Sequence, residues 1–354
     1  MMKWLRWLGL PVGIAVLIAL ALHGGMGDVL NAVGSAGFVL LWLVPLHALP
    51  LLLDALAWWL LLGKRASLMY LWWVATVREA VSRLLPVASI GGEFVGVRLA
   101  RWRVGDASVV GASVIVEVLV TLGVQYVFAA LGLVLVLAQT GHDDLLVTIG
   151  AALLLSLPLP IVVFVLLRRG GLFRALERWS ARLPMSAHWG AQPMLGERLD
   201  AAIDTLLREP RLLLRAFVWQ FAGYLMGASE VYLALWMLGH PVSIGGAIAV
   251  EALTQAARQG AFFVPSGLGV QEAVVVLLAR MFGVDEQTAL SLAIVKRMRE
   301  VVFGCAALAS WQAAEVVRNR RNAWHEKSML GAARHRAAHH VARRGDAPAR
   351  DRSR

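Results

Sequence analysis

The chain has 354 residues, of which 59% are hydrophobic and only 16% are charged, and its mean hydropathy is +0.67. A soluble domain carries about 25% charged residues and has too small a core to hide this much apolar surface, so the composition excludes an ordinary soluble protein. The single cysteine, Cys305, excludes an intramolecular disulfide framework and a cysteine-rich metal site. We therefore expect an all-α integral membrane protein.

Six stretches are candidates for membrane spans, which need about 20 mostly apolar residues each. They are 7–22, 36–62, 107–137, 145–167, 213–238 and 286–316. The first follows Lys3 and Arg6 and resembles a signal peptide, but we interpret it as a retained anchor because a multi-span protein needs no cleaved leader. Between 168 and 212 the chain is more polar, and we predict a cytoplasmic connection of amphipathic helices there.

Two further apolar stretches, 67–103 and 244–282, are interrupted near their middles by Pro and Gly and carry charges in their interiors. We predict that each is a re-entrant helical hairpin, since irregular backbone at membrane depth is tolerated only where protein or a polar cavity surrounds it. In the alternative, each arm spans the membrane. That alternative breaks the charge rule at Arg98, Arg101 and Arg103, or else makes one long segment turn back.

The distribution of basic residues supports the hairpin interpretation. The positive-inside rule places the loop at Lys64 inside and the loop at Asp143 outside. Since 107–137 supplies the one crossing between these loops, 67–103 must return to the side from which it enters. The same count applies to 244–282, between the uncharged loop at His240 and the basic end of the chain. This predicts cytoplasmic N- and C-termini.

The net charge of +11 is concentrated at that basic end. Residues 318–354 hold eleven Lys and Arg against three acids, a net charge of +8. After a run of membrane helices, such a stretch is more typical of a topology anchor that contacts anionic lipid than of a nucleic-acid-binding arm. We predict a membrane domain over 1–316, a disordered cytoplasmic tail over 317–354, and no nucleic-acid partner.

The two hairpins match each other at a fixed offset of 179 residues. Residues 86–106 and 265–285 share eight identities in 21 positions without a gap, and three of the eight are a Glu, an Arg and an Asp. The flanking spans coincide at the same offset. The first unit (36–137) begins outside and the second (213–316) begins inside. The sequence therefore predicts an inverted-topology repeat, in which related halves alternate access to a site near the midplane.

The predicted site begins at the two hairpin tips. Each tip has Pro, then Gly, then a Glu in the first turn of the returning helix, where the helix dipole favours a carboxylate. The Glu either caps free N–H groups, or the tip also meets an anionic headgroup through its backbone N–H groups. The tip residues are Pro86, Gly91, Gly92 and Glu93 in the first hairpin and Pro265, Ser266, Gly267, Gly269 and Glu272 in the second.

Charges deeper in the chain extend this predicted site. Arg101 and Arg280 lie eight residues beyond each Glu, about 12 Å along a helix, where they either snorkel or contact a lipid phosphate. Lys296 is equivalent to Glu117 in the other half, and we predict that these two side chains meet near the centre. The densest group of charges in the last span is Lys296, Arg297, Arg299 and Glu300.

Other polar and aromatic residues in the apolar stretches have simpler interpretations. Internal pairing is predicted because an unpaired charge at this depth is costly, and the candidates are Asp54, Glu79, Arg83, Glu230, Glu251 and Arg258. The set is interpreted as a polar path for a lipid headgroup or, alternatively, as a structural network. Interfacial belts are expected for Trp58, Trp59, Trp72 and Trp73. The nine histidines show no metal-ligand spacing, so we expect no metal and no cofactor.

On these motifs, the sequence resembles the flippase-like superfamily related to the membrane half of lysylphosphatidylglycerol synthetases. The resemblance covers about residues 5–316 and rests on the two tips and on the regions of Glu117 and Lys296. The form of the tips is most similar to the branch associated with hopanoid biosynthesis. The resemblance implies a multi-pass protein of the bacterial inner membrane that moves lipids or lipid-linked molecules between leaflets, with membrane lipids and lipid-biosynthesis enzymes as partners.

The predicted function is therefore lipid translocation. Only the tail follows residue 316, so we expect no lipid aminoacylation and no enzymatic activity. One alternative is an integral-membrane lipid pyrophosphate phosphatase, for which Ser266 and Arg280 are too small a set of phosphate-binding groups. Another is a non-transporting scaffold for lipid-synthesis enzymes, docked through 168–215 and the tail.

Overall fold

The computed structural model describes residues 42–85, 91–140, 150–151, 154–180, 195–260 and 270–345. In these residues the chain is helical, as the composition predicts, and it forms eleven named helices. They are α1 (Leu43–Leu61), α2 (Leu68–Leu84), α3 (Gly91–Ala100), α4 (Ala107–Thr140), α5 (Pro158–Arg169), α6 (Leu172–Ser180), α7 (Leu195–Leu207), α8 (Pro210–Met237), α9 (Ile244–Gly260), α10 (Val270–Met281) and α11 (Glu286–Gly345).

Length and hydropathy identify two of the described helices as membrane-crossing, α1 and residues 107–139 of α4. A third crossing is added if the bent pair Leu154–Arg169 and Leu172–Arg178, with an angle of 79° between its helices, counts as one broken span. The predicted span 7–22, the start of 36–62 and the start of 145–167 lie outside the described residues. The full set of six spans therefore stays a prediction.

Both predicted hairpins fold back on themselves. In the first, the hydroxyl of Tyr70 at the start of α2 donates to the carbonyl oxygen of Leu99 at the end of α3, over 2.6 Å. In the second, Gly246 at the start of α9 lies against the ring of Phe282, just after α10. Each hairpin therefore brings its two open ends together, as a chain that returns to its side of entry requires.

The long helices after the hairpins begin with the same cap. The carboxylate of Asp106 accepts hydrogen bonds from the Ser108 backbone N–H (2.9 Å) and hydroxyl (2.6 Å), and that of Asp285 accepts from the Thr288 backbone N–H at 3.0 Å. These hydrogen bonds lower the pKa of both exposed aspartates. The two caps occupy equivalent positions of the repeat, so the duplication extends to the way each long helix starts.

Helices α1 and α8, which correspond at the offset of 179 residues, pack directly against each other. The approach is close because Gly223 of α8 faces the backbone of α1: a Cβ atom there would lie only 3.1 Å from the carbonyl oxygen of Pro50. A contact between equivalent helices is what a twofold relation between two repeats would produce. The inverted orientation of those repeats stays a prediction.

Two apolar clusters surround the polar interior. One joins α1, α4 and α8 with the second hairpin and α11, around Leu235, Val250 and Leu292. The other packs the predicted amphipathic connection onto the membrane helices, through Ile203 and Leu207 of α7. The helices α6 and α7 of this connection are present within the predicted 168–212.

The end of the chain differs from the prediction of a disordered tail. The helix that begins at Glu286 continues to Gly345, so residues 317–345 are helical. Ala and Arg are among the strongest helix formers, and they are abundant in this stretch. The chain divides into two compact units, Met1–Ala307 and Leu308–Arg354, and all the ion pairs considered below lie in the first.

Candidate functional site

In the first half, a buried arginine holds the hairpin-tip glutamate. The guanidinium of Arg78 on α2 donates to Glu93 on α3 at 2.6 Å and to both oxygens of Glu117 on α4 at 3.0 and 2.9 Å. The ring of Trp58 lies under this guanidinium, 4.8 Å away, and its indole N–H donates to Ser113 at 3.1 Å. Arg78 thus ties both arms of the hairpin to the long helix, and Trp58 is fully buried rather than interfacial.

This arrangement depends on two glycines of α3 that let the hairpin arms touch. A Cβ atom on Gly92 would lie 2.5 Å from the carbonyl oxygen of Arg78, and one on Gly96 would lie 2.5 Å from its Cδ. Because no side chain separates the arms, the guanidinium passes along α3 and reaches both carboxylates. Gly92 was predicted at this tip as a point of close backbone approach, whereas Gly96 was not.

In the second half, the tip glutamate is held from a different helix. Arg297 of α11 donates through Nε to Glu272 at 2.8 Å and through Nη1 to Glu300 at 3.0 Å. The side chain of Gln271 on α10 also donates to Glu300, at 3.1 Å. Glu93 and Glu272 therefore occupy equivalent positions and have the same kind of partner, but that partner comes from different elements.

Lys296 binds Glu251 on the first arm of the second hairpin, and Gln255 donates to the same carboxylate at 2.8 Å. Because Glu117 is bound by Arg78, the predicted meeting of Glu117 and Lys296 at the centre is not what the structure shows. Each of the two instead connects its own long helix to its own hairpin.

The exposure of the tip pairs is nearly the same in the two halves. The side chains of Glu93 and Glu272 are each 30% exposed, whereas Arg78 and Arg297 are only 10% and 11% exposed. Each tip therefore presents a partly open carboxylate backed by a buried guanidinium. An ion pair in this position can exchange its partner for a charged group that arrives from outside.

A ring of six charged residues, here called the interface ring, joins the two predicted repeats. Its shortest contacts are those of His47, with Nδ1 2.6 Å from Glu230 and Nε2 2.8 Å from Glu79. Arg83 continues the ring from Glu79 (3.3 Å) to Glu300 (3.1 Å). The ring consists of His47, Glu79, Arg83, Glu230, Arg299 and Glu300.

A chain of neutral polar side chains continues the polar interior beside the first tip. Asp54 accepts from Gln220 at 3.1 Å, and the Gln220 oxygen accepts from the Thr121 hydroxyl at 3.2 Å. One turn further along α4, Gln125 donates to the hydroxyl of Tyr224 at 2.9 Å. Asp54 was predicted to form an internal ion pair, and its hydrogen-bond partner is an amide.

A shallow open groove of about 630 Å³ runs along α10 beside the second tip. Glu272 stands at one end and Arg280 near the other, and the lining between them is apolar, with Val276, Leu277 and Leu290. Arg280 is 57% exposed and lies 3.4 Å from Glu286. The groove therefore combines an apolar surface with charges at its two ends.

Several predicted site residues have simpler positions or lie outside the described residues. Arg101 is exposed in the turn after α3, and Gly91 is the first residue of that helix. Arg258 keeps one buried guanidinium nitrogen without a hydrogen-bond partner in the described part of the chain, as does Arg299. The tip residues outside the described ranges are Pro86, Pro265, Ser266, Gly267 and Gly269.

Sequence reasoning missed His47, Gln220 and Gln271 as members of the polar interior. A single polar residue inside an otherwise apolar helix was the available signal for His47 and Gln220. For Gln271, the signal was its place directly before the repeated Glu272. In the described residues, no group of three His, Cys, Asp or Glu side chains is arranged to hold a metal ion.

Comparison with known proteins gives one family match. The model of the family described as "Lysylphosphatidylglycerol synthase TM region" matches residues 6–307. That range includes both hairpins, both tip pairs and the whole interface ring. No curated protein matches the chain, and no solved structure matches it.

Proposed function

The chain belongs to the family of lysylphosphatidylglycerol synthase TM regions, and we propose that it is a translocase that moves a lipid or lipid-linked molecule between the two leaflets of a bacterial inner membrane. The family supports a multi-pass membrane protein with a function connected with membrane lipids. Translocation, the inner membrane, cytoplasmic termini and a hopanoid-type substrate are the finer parts of the proposal.

The observation that carries the proposal is the pair of partly open ion pairs at the hairpin tips. A lipid headgroup has a phosphate, an ammonium group or both, and must leave water to cross the bilayer. A phosphate can take the guanidinium of Arg78 or Arg297 from its glutamate, and an ammonium can take the glutamate from its arginine. The protein would thereby replace the headgroup's water without leaving a charge unpaired.

The groove along α10 supports the same proposal from the apolar side. A lipid that places its headgroup at Glu272 can keep its chain against Val276, Leu277 and Leu290, which face outward. The unpaired guanidinium nitrogens of Arg258 and Arg299 are additional donors for an anionic headgroup. The headgroup would use the polar interior while the chain stays in lipid.

We propose a transporter rather than an enzyme, with no metal and no cofactor. The charged side chains at the described parts of the tips are carboxylates paired with guanidinium groups, which suits exchange of a headgroup better than cleavage of a phosphate ester. Incubating the purified protein with lipid pyrophosphates tests this part, and we expect no release of inorganic phosphate. Release that is abolished in Glu272→Gln would favour the phosphatase instead.

Leaflet exchange in proteoliposomes tests the translocase directly. Fluorescent phosphatidylglycerol and phosphatidylethanolamine are used as separate probes, and the outer-leaflet fraction is measured by chemical quenching. We expect Glu93→Gln, Glu272→Gln and Lys296→Ala each to slow exchange at least about tenfold, the equivalent of about 1.4 kcal/mol of lost interaction.

The matched control for the tips is Glu286→Gln, which removes an exposed carboxylate from the same half of the protein and should leave exchange unchanged. Folded protein is monitored by size-exclusion chromatography, so that slow exchange is not confused with loss of structure. Unimpaired exchange in all three tip and core variants would contradict the proposed path. Deletion of 317–354 without effect on exchange would argue against a scaffold that docks lipid-synthesis enzymes through the tail.

A further inference from the structure

The interface ring draws equally on the two predicted repeats. His47, Glu79 and Arg83 come from α1 and α2, whereas Glu230, Arg299 and Glu300 come from α8 and α11. Two bonds cross between the repeats, from His47 to Glu230 and from Arg83 to Glu300. Any movement of one repeat against the other has to break or rearrange these bonds.

Both glutamates that face His47 already accept hydrogen bonds on their other oxygen. Glu230 Oε2 lies 3.2 Å from Nε of Arg299, and Glu79 Oε1 lies 3.3 Å from Nε of Arg83. A carboxylate bound to arginine in this way is ionised, and an ionised carboxylate only accepts hydrogen bonds. Both contacts of His47 therefore need a proton from the imidazole ring.

A neutral imidazole has one N–H group and one nitrogen lone pair. It can satisfy one of the contacts at 2.6 and 2.8 Å, and would direct its lone pair at a carboxylate oxygen in the other. The imidazolium form satisfies both. The ring then has three positive charges on His47, Arg83 and Arg299 against three negative charges on its glutamates, a balance that one proton decides.

The environment leaves little opportunity for water to replace that proton. His47 is 8% exposed, and its ring meets the ring of Phe303 edge-on at 5.0 Å. The charged and titratable groups that face it from the described helices are Glu79 of α2, Glu230 of α8 and Arg299 of α11. Loss of the proton would leave a buried negative charge and a repulsive contact, so the link between α1 and one of its two neighbours would open.

We infer that His47 is a proton-binding site at the boundary of the two repeats, and that its protonation holds them together. The proton is the ligand, and its release frees α1 from α8 or α2. The consequence for transport, that lipid movement is coupled to movement of a proton, rests on the proposed translocase. The proton site itself does not.

Ring nitrogen spectra test the proton site without any lipid substrate. The full-length chain is labelled with ¹⁵N-histidine and reconstituted in phospholipid nanodiscs, and the His47 signal is identified as the one missing in His47→Gln. We expect two protonated nitrogens at pH 6 and conversion to a singly protonated ring as the pH is raised. A ring with one unprotonated nitrogen across the range from pH 5 to pH 9 would overturn the inference.

Two variants separate proton binding from a structural role. His47→Arg keeps a permanent positive charge and should restore the yield of folded protein that His47→Gln loses, but without any response to pH. His240→Gln is the matched control, since His240 is 49% exposed and its described partner is Asp285, outside the ring. A pH response that persists in His47→Arg would show that another group binds the proton, against the inference.

An imposed pH gradient tests the coupling. With fluorescent phosphatidylglycerol as probe and one proton moved per lipid, a gradient of one pH unit enriches the probe up to about tenfold in one leaflet, whereas an uncoupled protein equalises the leaflets. We expect enrichment with the wild type and equal leaflets with His47→Arg. Equal leaflets with the wild type would overturn the coupling and leave the translocase intact. No exchange at all would contradict the translocase, and the ring spectra would then decide the proton site alone.

Discussion

The two hairpins share a repeated motif but hold their tip glutamates in different ways. In the first, glycines at 92 and 96 bring the arms into contact, and the arginine that binds the tip comes from the entering arm. In the second, the equivalent positions carry Gln271 and Val275, both buried between the arms and their neighbours. The arginine there comes from α11. A wider hairpin needs a partner from outside it, so the spacing of the arms decides the source of the arginine.

The halves also differ in the sign of the pair that joins each hairpin to its long helix. In the first half the cation, Arg78, is on the hairpin and the anion, Glu117, is on α4. In the second half the anion, Glu251, is on the hairpin and the cation, Lys296, is on α11. The attraction is the same for either polarity, so the duplicated fold tolerates the exchange as long as both partners change.

The largest expected effect comes from reversing one charge of such a pair. Lys296→Glu places two carboxylates together in a buried site and should cost about 3–5 kcal/mol of stability, measured as loss of folded protein and a lower melting temperature. Adding Glu251→Lys restores opposite charges. Because Glu272 is bound by Arg297 and not by Lys296, we expect the double variant to regain most of the loss.

The same exchange in the first half should fail, and this contrast is the test of the comparison. Arg78 serves both Glu93 and Glu117, so Glu117→Lys with Arg78→Glu repairs one contact and leaves Glu93 facing a carboxylate. Equal rescue in both halves would show that the tip glutamates do not depend on their arginines in the way described.

A smaller effect is expected from filling the close contact of the first hairpin. Gly92→Ala forces a Cβ atom against the carbonyl oxygen of Arg78, which is backbone and cannot rotate away, so we expect a cost of about 1–3 kcal/mol and slower lipid exchange. Gly105→Ala is the control, since a Cβ atom there meets nothing within 4 Å. Indifference to Gly92→Ala in thermal unfolding would mean that the arms do not need to touch.

The smallest effect concerns the caps that the halves share. Hydrogen bonds lower the pKa of Asp106 and Asp285, so each contributes stability above its unfolded-state pKa and loses it as the pH falls through its lower folded-state value, below about pH 4. Asp106→Asn and Asp285→Asn keep a capping side chain but cannot titrate. We expect both to reduce the fall in melting temperature between pH 5 and pH 3 by similar small amounts. A large difference between them would break the equivalence of the caps.

Local sequence was sufficient for the features that a short stretch of chain decides by itself. Pro and Gly in an apolar run predicted the breaks, and the offset of 179 residues predicted which elements correspond, down to the two capping aspartates. The first turn of a helix is a local position as well, which is why the placement of Glu93 and Glu272 there is confirmed. Local sequence was not sufficient for the tail, where the helix-forming tendency of Ala and Arg was underestimated.

Ion-pair partners were beyond the reach of the same reasoning. The positions equivalent to Arg78 and Arg297 are Ala257 and Val118, so the repeat alignment gives no sign of either arginine's role. A helix turns by about 100° per residue, so a shift of one position or a change in packing distance points a side chain at a different neighbour. The prediction that Glu117 meets Lys296 assumed matching rotations in both halves, and the glycines of the first hairpin make them differ.

Composition, breaks and duplication follow from the covalent order of residues, and they established an all-helical membrane protein with two hairpins. Which carboxylate binds which cation, and that His47 lies between two ionised glutamates from helices far apart in the chain, depended on tertiary packing. The physical reason is distance: an ion pair or a shared proton requires contact within about 3 Å, and the chain makes that contact between residues as many as 217 positions apart only once its helices have packed.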